Sequence, residues 1–133
     1  LKLLLDTQIV QWLALDRQML NRAERQLLAS PRHSFVISAV SIWEMRTKWQ
    51  TFYRSNDRKG EADPERVIET LAASSFSYER LPMLFEHCLA SLRHPLVNGD
   101  QVDRVLLAQA QVEGLRLFTR DHKFESHPLA LFA

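Results

Sequence analysis

The chain is poor in the features that declare most classes of small protein. It has one cysteine, Cys88, in 133 residues. An internal disulfide framework is therefore excluded, and the usage fits a reducing compartment. Its three glycines, Gly60, Gly99 and Gly114, stand far apart, so no glycine-rich loop exists to cradle a nucleoside triphosphate. Formal net charge is +1, so bulk electrostatics neither demands nor forbids a polyanionic partner. No apolar run is long enough to span a membrane, and Leu1 to Leu5 is too short for a signal peptide. A cytoplasmic protein with no membrane partner is expected, its Leu1 following a removed or trimmed residue. The five histidines, at positions 33, 87, 94, 122 and 127, show no paired metal-ligand spacing, which disfavours zinc.

What is present is an ordinary globular composition, 46% hydrophobic and 25% charged, long enough for one domain over residues 1–133 with a real core. Leu3-Leu4-Leu5 reads as a buried strand, and Asp6-Thr7 precedes a helical pattern at Ile9, Trp12 and Leu13. Asn21 to Glu24 is a capping box for a second helix, which Ser30-Pro31 ends. Phe35 to Ser38 is a second strand. Ser41 to Glu44 opens a helix with a buried stripe at Ile42, Met45, Trp49 and Phe52. Residues 53–63 form the longest polar loop and are expected to be mobile. Asp63-Pro64 starts a helix that reaches about Ala73. A weak strand is expected over 75–81, then a helix from Pro82 with Leu84, Cys88 and Leu92 in its core face. The tail from Phe124 reads as irregular. Strands alternating with helices imply an α/β fold with a mainly parallel sheet and helices on both faces.

The most informative stretch runs from Asp100 to Asp121. Asp100-Gln101-Val102-Asp103 opens a helix whose apolar positions are Val102, Val105, Leu106 and Ala110. Gly114 stops that helix as a left-handed C-terminal residue. Leu115 to Thr119 is a short strand that ends in Arg120-Asp121. Four acidic residues, Asp6, Glu44, Asp103 and Asp121, thus follow a strand closely or open a helix. In an open parallel sheet, ligands bind outside the carboxyl ends of the strands. Each carboxylate also has a purely structural account. Ser41 with Glu44, and Asp100 with Asp103, have capping-box spacing; Glu44 and Lys48 are an i, i+4 pair; Asp6 can cap a helix, and Asp121 can sit in a turn. Together they repel one another unless a cation is present. All-oxygen ligation selects a hard ion, Mg²⁺ or Mn²⁺. Such an ion suits phosphodiester hydrolysis.

These segments carry a resemblance. Leu3-Leu4-Leu5-Asp6-Thr7, Ser38 to Glu44, Asp100 to Ala110, and Leu117 to Phe124 resemble, in order and over nearly the whole chain, the four motifs of PIN-domain proteins of the VapC toxin type. The resemblance implies a PIN-like three-layer α/β/α fold with four to five strands in its central sheet. It implies a Mg²⁺- or Mn²⁺-dependent ribonuclease, held inactive by a cognate antitoxin and paired with itself as a homodimer. It places Asp6, Glu44, Asp103 and Asp121 as catalytic and metal-holding residues, with Asp100 as an additional candidate. Gln101-Val102 departs from the Pro-Phe common in close relatives, and Gln8 stands where His is frequent; neither removes a carboxylate.

Basic residues at Arg46, Lys48, Arg54, Arg58, Lys59, Arg104, Arg116, Arg120 and Lys123 are candidates for RNA phosphate contacts, or a solvated face. Thr7 and Thr119 are further candidates at the site, or simply finish their strands. Trp12, Trp43 and Trp49 stand at helical spacing and read as core; Trp43, which adjoins Glu44 off the buried stripe, also suits base stacking or, instead, a subunit interface. Two other readings compete: a PIN-like module that binds RNA or protein without effective cleavage, and a phosphoaspartate enzyme. The dehalogenase form of the latter wants a second Asp where Gln8 stands.

Overall fold

The computed structural model describes all residues 1–133. Its centre is a five-stranded sheet made of β1 (Lys2–Leu5), β2 (Ser34–Ser38), β3 (Glu79–Leu81), β4 (Arg116–Phe118) and β5 (Ala130–Leu131). The spatial order is β3-β2-β1-β4-β5, and every pairing is parallel. Because all strands run one way, their carboxyl ends share one edge. Leu5, Ser38 and Phe118 all end there, beside the acidic positions.

The register explains why the strands read as unbroken apolar runs. Leu3, Leu5, Phe35, Ile37 and Phe118 enter one core, while Leu4, Val36 and Leu117 enter another. Alternate side chains point to opposite faces, and both faces are covered, as parallel sheets require. The first face is packed by Ile9, Val10 and Leu13 of α1 (Thr7–Leu15), Leu28 of α2 (Arg22–Ala29), Met45 of α3 (Ala39–Trp49), and Val67 and Leu71 of α4 (Pro64–Ala73). The second is packed by Leu106, Leu107 and Ala110 of α6 (Gln101–Glu113), with Leu96 and Phe124. The three-layer α/β/α expectation is met.

Local signals set most boundaries. Asn21 and Glu24 form the expected capping box, Asp63 caps α4 ahead of Pro64, and Gly114 ends α6 with φ 68°. Five readings need correction. Helix α3 starts at Ala39, because Ser38 Oγ accepts the Val40 N–H at 3.0 Å. Ser41 and Glu44 therefore form no capping box. Phe52, expected in the buried stripe of α3, is half exposed. The helix read from Pro82 is only α5 (Phe85–Leu89), and Cys88 is exposed on it. Its buried residue is His87, whose Nδ1 accepts the Leu84 N–H at 3.0 Å and whose Nε2 lies 3.1 Å from Glu113 Oε2. That polar anchorage turns the Leu84–Cys88 line outward. Lastly, the tail is not wholly irregular, since β5 pairs with β4; and of residues 75–81 only Glu79–Leu81 is strand.

The polar loop 53–63 folds back on the end of α3. Phe52 and Arg58 form an antiparallel bridge, and Arg58 stacks over the Trp49 ring at 4.1 Å and the Phe52 ring at 4.7 Å. Lys59 N–H donates to Thr51 O at 2.8 Å. Gly60 permits the close approach: a Cβ there would stand 2.6 Å from Trp49 N.

Candidate active site

Asp6 leaves the end of β1 and caps α1. Its Oδ1 accepts the Thr7 N–H at 2.8 Å, and its Oδ2 accepts the Thr119 hydroxyl at 2.7 Å. Thr119 follows β4, and its Oγ1 also accepts the Asp121 N–H at 3.0 Å. One hydroxyl thus ties the end of β1 to the turn that carries Asp121. Thr7 Oγ1 donates to Ser41 Oγ at 2.9 Å, which joins the first turns of α1 and α3. Glu44, one turn further along α3, lies 3.3 Å from Lys48 Nζ.

On the other side of the cleft, Asp100 and Asp103 form a reciprocal capping box at the start of α6. Asp100 Oδ1 accepts the Asp103 N–H at 2.9 Å, and Asp103 Oδ2 accepts the Asp100 N–H at 3.0 Å. Lys123 Nζ stands 2.8 Å from the same Asp103 oxygen and 3.2 Å from Asp121 Oδ2. Asp121 caps the short 3₁₀ turn His122–Phe124. Capping is real for Asp6, Asp100, Asp103 and Asp121, yet their side chains also face a common space. Capping therefore does not take these carboxylates out of the cleft: Asp6 and Asp121 cap turns just past strand ends, and Asp100 and Asp103 cap the start of α6 facing the same space.

That space is a cleft of about 180 Å³ with no hydrophobic residue in its wall. Asp6, Thr7, Glu44, Asp100, Asp103 and Asp121 all line it. Thr119 is buried and reaches the cleft through Asp6 rather than lining it. Gln8, Gln11, Lys48, Lys59, Glu61 and Lys123 complete the wall. Glu61 was not legible as a site residue, since only the fold-back of the polar loop brings it there. Of the basic candidates, Lys48, Lys59 and Lys123 reach the cleft. Arg120 instead pairs with buried Glu24 and stacks on Trp12 at 4.3 Å. Arg46 pairs with Glu65 at 2.9 Å, and Arg116 donates to Ala130 O at 2.6 Å.

The electrostatics follow from burial. Desolvation pushes the Asp6 carboxyl up to about 6; the Thr119 and Thr7 hydrogen bonds oppose it, and the charges of Asp103 and Asp121 add to it. Burial also raises Asp103 against the contrary pull of Lys123. For Asp100, burial is outweighed by hydrogen bonds with Asp103, and its carboxyl is held low. For Lys123, burial is outweighed by Asp103 and Asp121, and its ammonium is held more firmly than usual.

The donors that converge are all oxygen, the chemistry of a hard divalent cation. In the side-chain positions of the structure, no group of three or more acidic, histidine or cysteine side chains is gathered closely enough to hold an ion. The ammonium of Lys123 stands where two of them would meet one. The donor set therefore fits Mg²⁺ or Mn²⁺, with Lys123 as the positive charge in place. Asp6, Glu44, Asp103 and Asp121 are the residues that could hold it.

No helix is long and apolar enough to cross a membrane. Comparison with curated proteins returns no match. Among solved structures, a chain from the crystal structure of VapBC2 from Rickettsia felis bound to a DNA fragment from their promoter superposes with a TM-score of 0.67. The match covers 100% of this chain and 98% of that one at 16% identity, a likeness of fold. Residues 3–128 match the family model of the PIN domain. With the parallel sheet, the order of its elements and the acidic carboxyl edge already established, the chain belongs to the PIN domain family.

Proposed function

We propose that this chain is a Mg²⁺- or Mn²⁺-dependent endoribonuclease, acting in the cytoplasm as the toxin of a toxin–antitoxin pair. The observation that carries the reading is the cleft itself. Four carboxylates from separate elements converge at one sheet edge, in a wall with no apolar residue. A cavity of that kind has little to offer an apolar ligand. A hard divalent ion held there supplies charge neutralisation and water activation for phosphodiester hydrolysis.

The chain's own residues divide the remaining work. Thr119 and Thr7 fix both oxygens of Asp6, so its orientation is set before anything binds. Preset donors and acceptors of this kind need no reorganisation during reaction. Lys48 and Lys59 line the cleft and present positive charge to a phosphate backbone. Gln8 and Gln11 line the same wall and offer amide groups to a sugar or base edge.

The partner reading rests on the PIN fold and on an exposed apolar ridge. Trp43 is 63% exposed. It stands between a groove of about 760 Å³ that includes Ile42, Ile68 and Leu81 and one of about 400 Å³ that includes Met83, Val102 and Val105. Apolar surface of that kind marks protein contacts. It supports a cognate antitoxin and a homodimer as partners.

One feature favours the alternative, a PIN-like module that binds RNA or protein with weak cleavage or none. Lys123 already pairs with two of the carboxylates and offsets part of their charge. Incubating the purified chain with a mixed RNA pool, in Mg²⁺, in Mn²⁺ and in chelator, separates the two. The proposal expects fragments with either ion and intact RNA in chelator. Intact RNA in every arm would leave the binding module; cleavage in chelator would remove the ion from the account.

A further inference from the structure

Lys123 differs from the other cations of the cleft in how it is held. Its backbone N–H donates to Asp121 Oδ1 at 3.1 Å, while its ammonium reaches Asp121 Oδ2 at 3.2 Å. The same ammonium crosses to Asp103 Oδ2 at 2.8 Å. It thereby joins the turn after β4 to the start of α6, two segments that like charge would otherwise push apart. Lys48 meets only Glu44 of its own helix, and Lys59 lies over the Tyr53 ring at 5.2 Å. Across the whole wall, six carboxylates face three ammonium groups.

Lys123 also has a way out. Its side chain is 27% exposed, and its ammonium lies 5.8 Å from the centre of the ring of buried Phe124. The backbone bond to Asp121 Oδ1 does not depend on where the ammonium points. Rotation of the long side chain therefore frees Oδ2 of both Asp103 and Asp121 and leaves the turn intact. A divalent ion and an ammonium compete for those two oxygens, because each wants the same lone pairs.

We propose that Lys123 is a resident countercharge: it holds the acidic edge together while no ion is bound, and a divalent cation must displace it to load the site. This rests on reading the cleft as a hard-cation site. It makes Lys123 a positioning residue that sets the ion concentration at which loading occurs.

Calorimetric titration with Mn²⁺ of wild type, Lys123→Met and Lys123→Arg tests it. Methionine keeps a long unbranched side chain and removes the charge; arginine keeps the charge. Lys123→Met should bind Mn²⁺ about ten- to a hundredfold more tightly, the range of one charge-assisted contact. Its metal-free melting temperature should fall and its Mn²⁺-induced rise should grow. Lys123→Arg should stay close to wild type in both. A second measurement needs no variant. Acetylation footprinting of wild type should find Lys123 protected without ion and reactive in saturating Mn²⁺, with exposed Lys2 unchanged as the internal reference. Equal or weaker Mn²⁺ binding by Lys123→Met, or a Lys123 label that ignores saturating Mn²⁺, overturns the displacement and leaves the cation site standing. Absence of Mn²⁺ binding in all three proteins overturns the cation reading itself.

Discussion

Asp6→Asn isolates a buried carboxylate whose ionisation the fold controls strongly. Asp6 is 9% exposed, and burial carries its carboxyl from the ordinary 3.8 to about 6. A change of that size corresponds to about 3 kcal/mol. The sign follows from which state holds the proton. Between pH 3.8 and about 6 the native metal-free protein keeps a proton that the unfolded chain has released. The contribution of Asp6 is therefore fully present below pH 3.8 and is lost as pH rises through about 6. Asparagine does not titrate, and its amide can still serve Thr7 and Thr119. The stability of Asp6→Asn relative to wild type should then rise by up to about 3 kcal/mol from the low end of that window to pH 7, and level off above it. Taking the difference between the two proteins cancels groups of opposite slope, such as Glu24, which Arg120 holds below its usual range. The assay is urea unfolding in chelator at half-unit pH steps. With Mn²⁺ added, the wild-type gain should fade below about pH 6, since the ion needs the ionised carboxylate. A difference that stays constant within about 0.5 kcal/mol across the window would refute the reasoning.

Two further predictions concern the scaffold of the cleft. Gln109 is fully buried; its Oε1 accepts from Ser38 Oγ at 2.5 Å and its Nε2 donates to Pro82 O at 3.3 Å. Gln109→Leu strands both partners and should cost about 2–4 kcal/mol in urea unfolding; a loss under about 1 kcal/mol would show that the buried network carries no such weight. Gly60→Ala places a Cβ 2.6 Å from Trp49 N and 2.8 Å from Trp49 Cα, which only a loop shift relieves. It should lower stability by about 1–3 kcal/mol and change the tryptophan emission; an unaltered melt and spectrum would mean the loop does not pack as described.

The fold was legible in the sequence where its cause is local. Leu3-Leu4-Leu5 and Phe35-Val36-Ile37 are continuous because both sheet faces are covered, as a parallel sheet requires. Asp6 and Asp121 were legible as site residues because each follows a strand whose direction the αβ alternation fixes. Asp103 carried two readings: the structure shows the capping box, and it sets the same side chain in the cleft wall where the site reading needs it. Glu44 was legible in place but not in structural role, because Ser38 captured the helix start that Ser41 was read to make. What stayed hidden depends on distant partners. A two-residue strand such as β5 has no period to detect. The burial of His87 in place of Cys88 is decided by Gln109 and Glu113, more than twenty residues away. The repulsion among the carboxylates was legible; its partial relief by Lys123 was not, since nothing in the spacing tells an ion-pairing lysine from a solvated one.

The central claim, that these carboxylates hold a divalent ion for RNA cleavage, is tested most directly at Asp103. The measurement is the RNA cleavage rate of Asp103→Asn against wild type in the same Mn²⁺ concentration, with the Mn²⁺-induced shift in melting temperature read on the same samples. Asparagine can keep one acceptor for the Asp100 N–H, so the helix start survives. The account predicts a cleavage rate lower by about a hundredfold or more, together with a smaller Mn²⁺ shift. Cleavage near the wild-type rate with an unchanged Mn²⁺ shift would contradict it, and would leave Asp103 as a helix cap alone.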